Sequence, residues 1–278
     1  MLRIDSHQHF WKFNKVRDSW ITEDMEVLRD DFLPKHLEPI LEHFEFDGCV
    51  VVQSDQSPAE NKFQLQNAKT NPFIKGVVGW VDLQADDIES QLEELSVHER
   101  LKGFRHILQG EEDRALMLKP AFVNGISKLR DFGYTYDLLI FPDQMKYAAE
   151  LVAKFPNQLF VLDHIAKPEI KNKKIADWQK DIEMLAGFEN VYCKVSGIVT
   201  EADWNYWKAE DFTPYLDVVF NAFRAERVMY GSDWPVSLLA AIYGQLIDIM
   251  EGYVSKKLSL HQQELFWGGN ATKFYNLK

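Results

Sequence analysis

The chain has 278 residues, 46% of them hydrophobic, and a formal net charge of −12. It is long enough to bury a substantial core in one or two domains. Its negative field opposes nucleic acid and anionic membrane surfaces as partners. The two cysteines, Cys49 and Cys193, lie in apolar runs and read as reduced core residues. There is no apolar span of the roughly 20 residues a membrane helix needs, and no leader pattern ahead of a first strand that begins near Met1. The expected location is therefore the cytoplasm.

Short runs rich in Val, Ile, Phe and Tyr recur along the chain and predict strands over residues 2–8, 47–53, 75–81, 102–107, 134–140, 159–164, 191–196 and 227–232. Helical periodicity separates them. Leu37, Ile40, Leu41 and Phe44 form a stripe in 34–44, and Ile88, Leu92 and Leu95 do so in 88–101. A helix over 145–155 follows Pro142. Another is expected over 213–226, with Thr213 as N-cap and Pro214 at its first position. Ser259 and Gln262 make a capping box near the end. Residues 10–33, 54–63 and 197–212 are read as loops. Eight alternating units in one chain predict a single-domain (β/α)8 TIM barrel over residues 1–278. The rival is a doubly wound open sheet, but no GxGxxG turn follows the first strand.

In such a barrel the carboxyl ends of the strands converge on one pocket. The first strand ends in His7 and His9, two residues apart and so on one side. Asp5 is expected on the same face, bracing the His7 ring. The second strand brings Gln53, the third Trp80, the fourth Arg105 and His106. The fifth has Asp137, the sixth Asp163 and His164, the seventh Lys194 and Ser196. Asp233 and Trp234 follow the eighth.

An HxH pair alone is common in structural roles. Joined by His164 and Asp233, it makes a set of three imidazoles and one carboxylate. That set suits a divalent ion, zinc above others, and needs no organic cofactor. Asp233 can take a proton from water. Arg105, His106 or Lys194 can polarise a substrate carbonyl, with burial of Arg105 and Lys194 as partners of Asp137 or Asp163 the lesser alternative. Adjacent Arg105 and His106 point to opposite faces, so one of them looks into the pocket. Gln53, Trp80, Ser196 and Trp234 complete the candidate substrate contacts. Trp11, Trp20, Trp204, Trp207 and Trp234 together suggest a wall for a flat or sugar ring. His36, His43, His98 and His261 fall in charged helical segments and are expected to be solvated.

The segments "DSHQHFW", "GFRHILQ", "DHIAKP", "CKVSGIVTEADW", "YGSDWP" and "FWGGNATKFYNL" occur in order across essentially the whole chain. They resemble the amidohydrolase superfamily, and within it the metal-dependent-hydrolase branch of lactonases (the amidohydrolase 2 type). The resemblance implies hydrolysis of a lactone, in particular a sugar-acid lactone. It assigns His7, His9, His164 and Asp233 to the catalytic centre, with Asp233 activating water. The chain departs from the full metal-site pattern: the fifth strand offers Asp137 and no histidine, and the fourth offers Arg105 and His106. A binuclear centre is therefore not expected, and the need for even one ion stays open. A decarboxylase of the same superfamily and a non-catalytic carbohydrate-binding barrel are the alternatives. The expected partner is a small-molecule substrate, with self-association left open.

Overall fold

In the computed structural model, which describes residues 2–278, eight parallel strands pair in sequence order. They are β1 (Ile4–Gln8), β2 (Gly48–Val52), β3 (Ile74–Gly79), β4 (Leu101–His106), β5 (Thr135–Leu138), β6 (Phe160–Leu162), β7 (Val191–Val195) and β8 (Val228–Tyr230). The seam closes at the carboxyl ends of β1 and β8. Gln8 bridges Trp234, the Asp233 amide donates to His7 O at 2.8 Å, and the His9 amide donates to Trp234 O at 2.7 Å. The result is the expected (β/α)8 barrel, and its closure stitches Asp233 to the two histidines of β1.

The helices between strands are α1 (Pro34–His43), α2 (Pro58–Thr70), α3 (Ile88–Leu95), α4 (Pro120–Leu129), α5 (Met145–Lys154), α6 (Ala176–Ala186) and α7 (Ala209–Phe223). After β8 come α8 (Tyr243–Lys257), α9 (Leu260–Glu264) and α10 (Asn270–Phe274). Three sequence expectations need correction. The segment read as a loop at 54–63 enters α2 at Pro58, because Ser57 Oγ accepts the Glu60 amide as an N-cap. The segment expected to be helical to residue 101 stops at Leu95, since Leu101 already opens β4. The helix expected from Thr213 begins one turn earlier. Asp211 accepts the Lys208 amide at 2.9 Å and opens the helix there, so Pro214 falls inside it. The Ser259–Gln262 box forms as expected.

Alternation along the strands splits the core in two. Cys49, Val51, Val77, Phe104, Leu138, Leu162, Cys193 and Val228 face the helices. Ile4, Val50, Val52, Val78, Val161, Tyr192 and Met229 face the barrel axis, where Phe274, Tyr275 and Leu277 join them. The C-terminal helix thus plugs the barrel from its amino end. The inward positions nearer the carboxyl end turn polar and charged: Arg105, Asp137, Asp163 and Lys194 are each 4% exposed or less. An apolar plug, an ionic layer and the strand tips therefore stack in that order along the axis.

Candidate active site

His7, His9, His164 and Asp233 meet at the top of this stack. Asp233 Oδ1 lies 3.4 Å from His9 Nε2, 3.8 Å from His7 Nε2 and 4.0 Å from His164 Nε2, and the two Nε2 atoms of β1 are 3.3 Å apart. The carboxyl tips of the first, sixth and eighth strands are brought together as the sequence suggests. Two of the four hold costly backbone conformations. His164 (φ 53°) starts a left-handed turn that continues through Ile165, Ala166 and Lys167, and Asp233 has φ 56°. Such strain in non-glycine residues persists only where the surroundings over-determine it.

The far nitrogen of each ring is tethered. His9 Nδ1 sits 2.8 Å from Val52 O, an acceptor only, so Nδ1 carries a proton and Nε2 is turned toward the cluster. His164 Nδ1 is 2.9 Å from Ser196 Oγ. His7 Nδ1 is 3.3 Å from Asp163 Oδ1 and 3.2 Å from Lys194 Nζ. Burial holds the His7 and His164 imidazoles well below their usual range, so both are neutral. Burial also pushes Asp233 upward, but His164 and His9 outweigh it and hold the carboxylate below its ordinary value. The Asp233 carboxylate thus stands against the neutral, buried rings of His7 and His164, with His9 alongside.

A carboxylate and three imidazole nitrogens turned toward one point suit a cation. A tetrahedral ion with ligands at about 2.1 Å has ligand–ligand edges of about 3.4 Å. The separations of 3.4–4.0 Å around Asp233 Oδ1, and of 3.3 Å between the two β1 Nε2 atoms, lie near such edges. His7, His164 and Asp233 alone place one ligand atom each within 4.8 Å of one another. The donor set therefore suits one divalent metal.

Beneath the cluster, Lys194 Nζ contacts Asp137 Oδ2 at 2.5 Å and Asp163 Oδ1 at 3.0 Å, while Arg105 Nη1 contacts Asp163 Oδ2 at 3.1 Å. Burial would raise Asp163, yet Lys194 and the neighbouring groups hold it well below the usual range. Burial dominates at Asp137 and lifts it to about 6 despite Lys194. Lys194 is fully buried. It is an ion-pair partner below the site rather than a substrate contact in the mouth, a correction of its first-named role. Arg105 is also paired, but its Nη1 reaches within 3.3 Å of His7 Nε2, on the cluster side. Gln53 clasps Arg105 at both ends, accepting Nη2 through its carbonyl and donating Nε2 to Arg105 O at 3.1 Å.

Alternation settles the choice on β4: Arg105 points inward and His106 outward. The His106 ring packs edge-on against Phe122 of α4 and its Nε2 meets Glu111 Oε1 at 2.7 Å, which removes it from the substrate contacts. A second correction concerns Asp5. A register shift between Asp5 and Gln8 breaks the two-residue alternation of β1. Asp5 therefore faces α8, where it accepts Tyr243 Oη at 3.1 Å, and Asp163 stands beside the His7 ring in its place. Trp234 packs edge-on against Phe10 and Phe32, and Trp11 against Phe32 and Trp20, so these indoles knit the first loop to the barrel top. Trp204 donates to Thr200 O within its own loop, and Trp207 donates across to Ala240 O in the loop after β8. Trp80 follows β3 and is held by Asn61 of α2 through its backbone. His36, His43, His98 and His261 are exposed, as expected.

Two positions escaped the sequence reading. Gly197 (φ 59°) lies so close to the cluster that a β-carbon there would stand 2.7 Å from His164 Nδ1 and 2.9 Å from Asp233 Oδ2. The "SG" after the seventh strand was its signal. Tyr275 enters the ionic layer from the far end of the chain, and no local pattern marks it.

Comparison with known proteins agrees with this geometry. A protein of Burkholderia multivorans named L-fucono-1,5-lactonase is 37% identical over 99% of this chain and 96% of its own length. One of the same name from Burkholderia ambifaria is 32% identical over the same shares. The crystal structure of an amidohydrolase from Burkholderia multivorans with bound zinc superposes with a TM-score of 0.96, at 37% identity and full coverage of both chains. The amidohydrolase family profile matches residues 4–277. From the barrel seam to the C-terminal plug, the chain belongs to the amidohydrolase family.

Proposed function

We propose that this protein hydrolyses a sugar-acid lactone, L-fucono-1,5-lactone or a close relative, with Asp233 as general base. The observation that carries the mechanism is the buried Asp233 carboxylate, whose Oδ1 stands 3.4–4.0 Å from Nε2 of His9, His7 and His164. The substrate class follows from the names of the Burkholderia relatives.

Water adds to the lactone carbonyl carbon while Asp233 takes its proton. Charge gathers on the carbonyl oxygen, and the Arg105 guanidinium at the floor of the cluster offsets it. The ester C–O bond to the ring oxygen then breaks, and that oxygen takes the proton from Asp233. The product acid ionises and releases a proton to solution. Ser196 and Val52 keep His164 and His9 oriented throughout. A divalent ion, zinc by its donor set, would be held by His7, His9, His164 and Asp233 and would supply Lewis-acid polarisation of the carbonyl.

A decarboxylase finds less support. The fifth strand commits Asp137 to Lys194 and brings no further ligand to the cluster. Carbohydrate binding without turnover would not call for an ionised carboxylate held among three imidazoles. Among the described residues no helix is long and apolar enough to cross a membrane.

The test is acid release, followed with a pH indicator, from L-fucono-1,5-lactone and a panel of other aldonolactones, with and without chelator. The reading expects saturable turnover with kcat/KM above about 10⁴ M⁻¹s⁻¹ on at least one. Binding without acid release across the panel, or carbon dioxide release from an aromatic acid instead, overturns it.

A further inference from the structure

Two charged side chains beside the cluster belong neither to it nor to the ionic layer below. Lys167 (φ 50°) ends the left-handed turn that His164 begins, and Glu201 lies in the loop that leaves β7 past Gly197. Their heads face each other. Lys167 Nζ stands 3.6 Å from Glu201 Oε1, with the side chains 17% and 22% exposed. That separation is too long for a hydrogen bond, and among the described residues neither head has another polar partner. The Phe141 ring, 5.9 Å from the ammonium, offers no hydrogen-bonding oxygen.

Both charges are felt at the site. Burial lifts the Glu201 carboxyl above its ordinary value, Lys167 opposes this, and the Asp233 charge adds to it. Fastening the two loops does not depend on the pair. The Lys171 amide already donates to Glu201 O at 3.0 Å, and Lys171 Nζ lies 3.2 Å from Asp203. A lone ammonium here would draw an anion. The carboxylate beside it cancels that charge and supplies an acceptor, so the pair suits a neutral group that both donates and accepts. A hydroxyl is such a group. Donating to Oε1 and accepting from Nζ at about 2.8 Å each, it closes a triangle on the 3.6 Å edge.

We propose that Lys167 and Glu201 bind a ring hydroxyl of the substrate and so set a preference for hydroxylated, uncharged lactones. The inference rests on the proposed lactone hydrolysis and adds to it the group that is recognised. The test compares the aldonolactone turned over fastest with the hydroxyl-free lactone of the same ring size, δ-valerolactone for a 1,5-lactone. Lys167 also acts on Asp233 through space, so the readout is the ratio of the two kcat/KM values rather than either rate.

In Lys167→Met and in Glu201→Gln the ratio should fall about tenfold or more. The double variant should lose little beyond either single one, since both heads hold one hydroxyl. A ratio within about threefold of the wild type overturns the proposal, whether both rates fall together, as with a mere brace between loops, or neither falls. Near-UV circular dichroism establishes the fold, and if one single variant does not fold the other carries the comparison. Where either lactone is not turned over, calorimetric binding of 1,5-anhydro-L-fucitol decides, a ring with hydroxyls and no carbonyl. Its Kd should rise about fivefold or more in Lys167→Met; equal affinity, or no binding to the wild type, overturns the proposal. If the wild type opens no lactone at all, the proposed function fails by itself, while this binding still decides the role of the pair.

Discussion

A β-carbon at Gly197 would stand 2.7 Å from His164 Nδ1, the atom that Ser196 holds in place. Gly197→Ala therefore forces either the imidazole or the loop to move. It also puts a side chain at a φ of 59°. The backbone cost is about 1–3 kcal/mol, and displacing a catalytic ring costs about 10²-fold in rate. Thermal unfolding together with lactone kinetics should show both losses. An alanine variant as active as the wild type would mean that His164 is free to move.

Asp5 links the seam to stability. Burial raises its carboxyl from 3.8 to about 6, against hydrogen bonds from Ser232, His7 and Tyr243. The folded chain thus holds this proton more tightly than the unfolded chain does. The associated stability is complete below the unfolded value and is lost as pH rises through about 6. Asn at this site does not titrate, and its amide can donate to Tyr243. Between about pH 4 and 7, wild-type stability should fall relative to Asp5→Asn by on the order of 3 kcal/mol. Urea unfolding of both proteins across that range measures it, and parallel pH profiles would remove Asp5 from the account.

His106 and Arg105 are neighbours in sequence with opposite fates. His106→Phe keeps the packing on Phe122 and loses only the Glu111 bond, so it should cost about 1 kcal/mol of stability and leave kcat/KM within about threefold. A loss comparable to that of a cluster histidine, in the same lactone assay, would place His106 back among the substrate contacts.

The barrel was legible because its strands are short, apolar and evenly spaced, and because each strand tip carries one or two residues of unusual chemistry. Alternation alone put Lys194 and Ser196 on one face and Asp233 with Met229. It failed at Asp5, where the register shift of β1 is a backbone event with no side-chain signature. It left Arg105 and His106 unresolved, since either parity satisfies a half-apolar strand; only the ring of Phe122 and the charge of Asp163 decide between them. The role first given to Lys194 was too exposed, because burial is a sum over distant segments that a local reading does not contain. Tyr275 shows the limit most plainly, reaching Asp137 across 138 residues of sequence.

The account stands or falls on Asp233. Asp233→Asn keeps the side-chain shape beside His9 and removes the charge that takes a proton from water. The decisive measurement is kcat/KM for lactone hydrolysis by this variant, with near-UV circular dichroism to establish the fold. The account predicts a loss of about 10³-fold or more in a folded protein. A folded Asn variant within about tenfold of the wild type would contradict it, because a mechanism that needs no base at this position is a different mechanism.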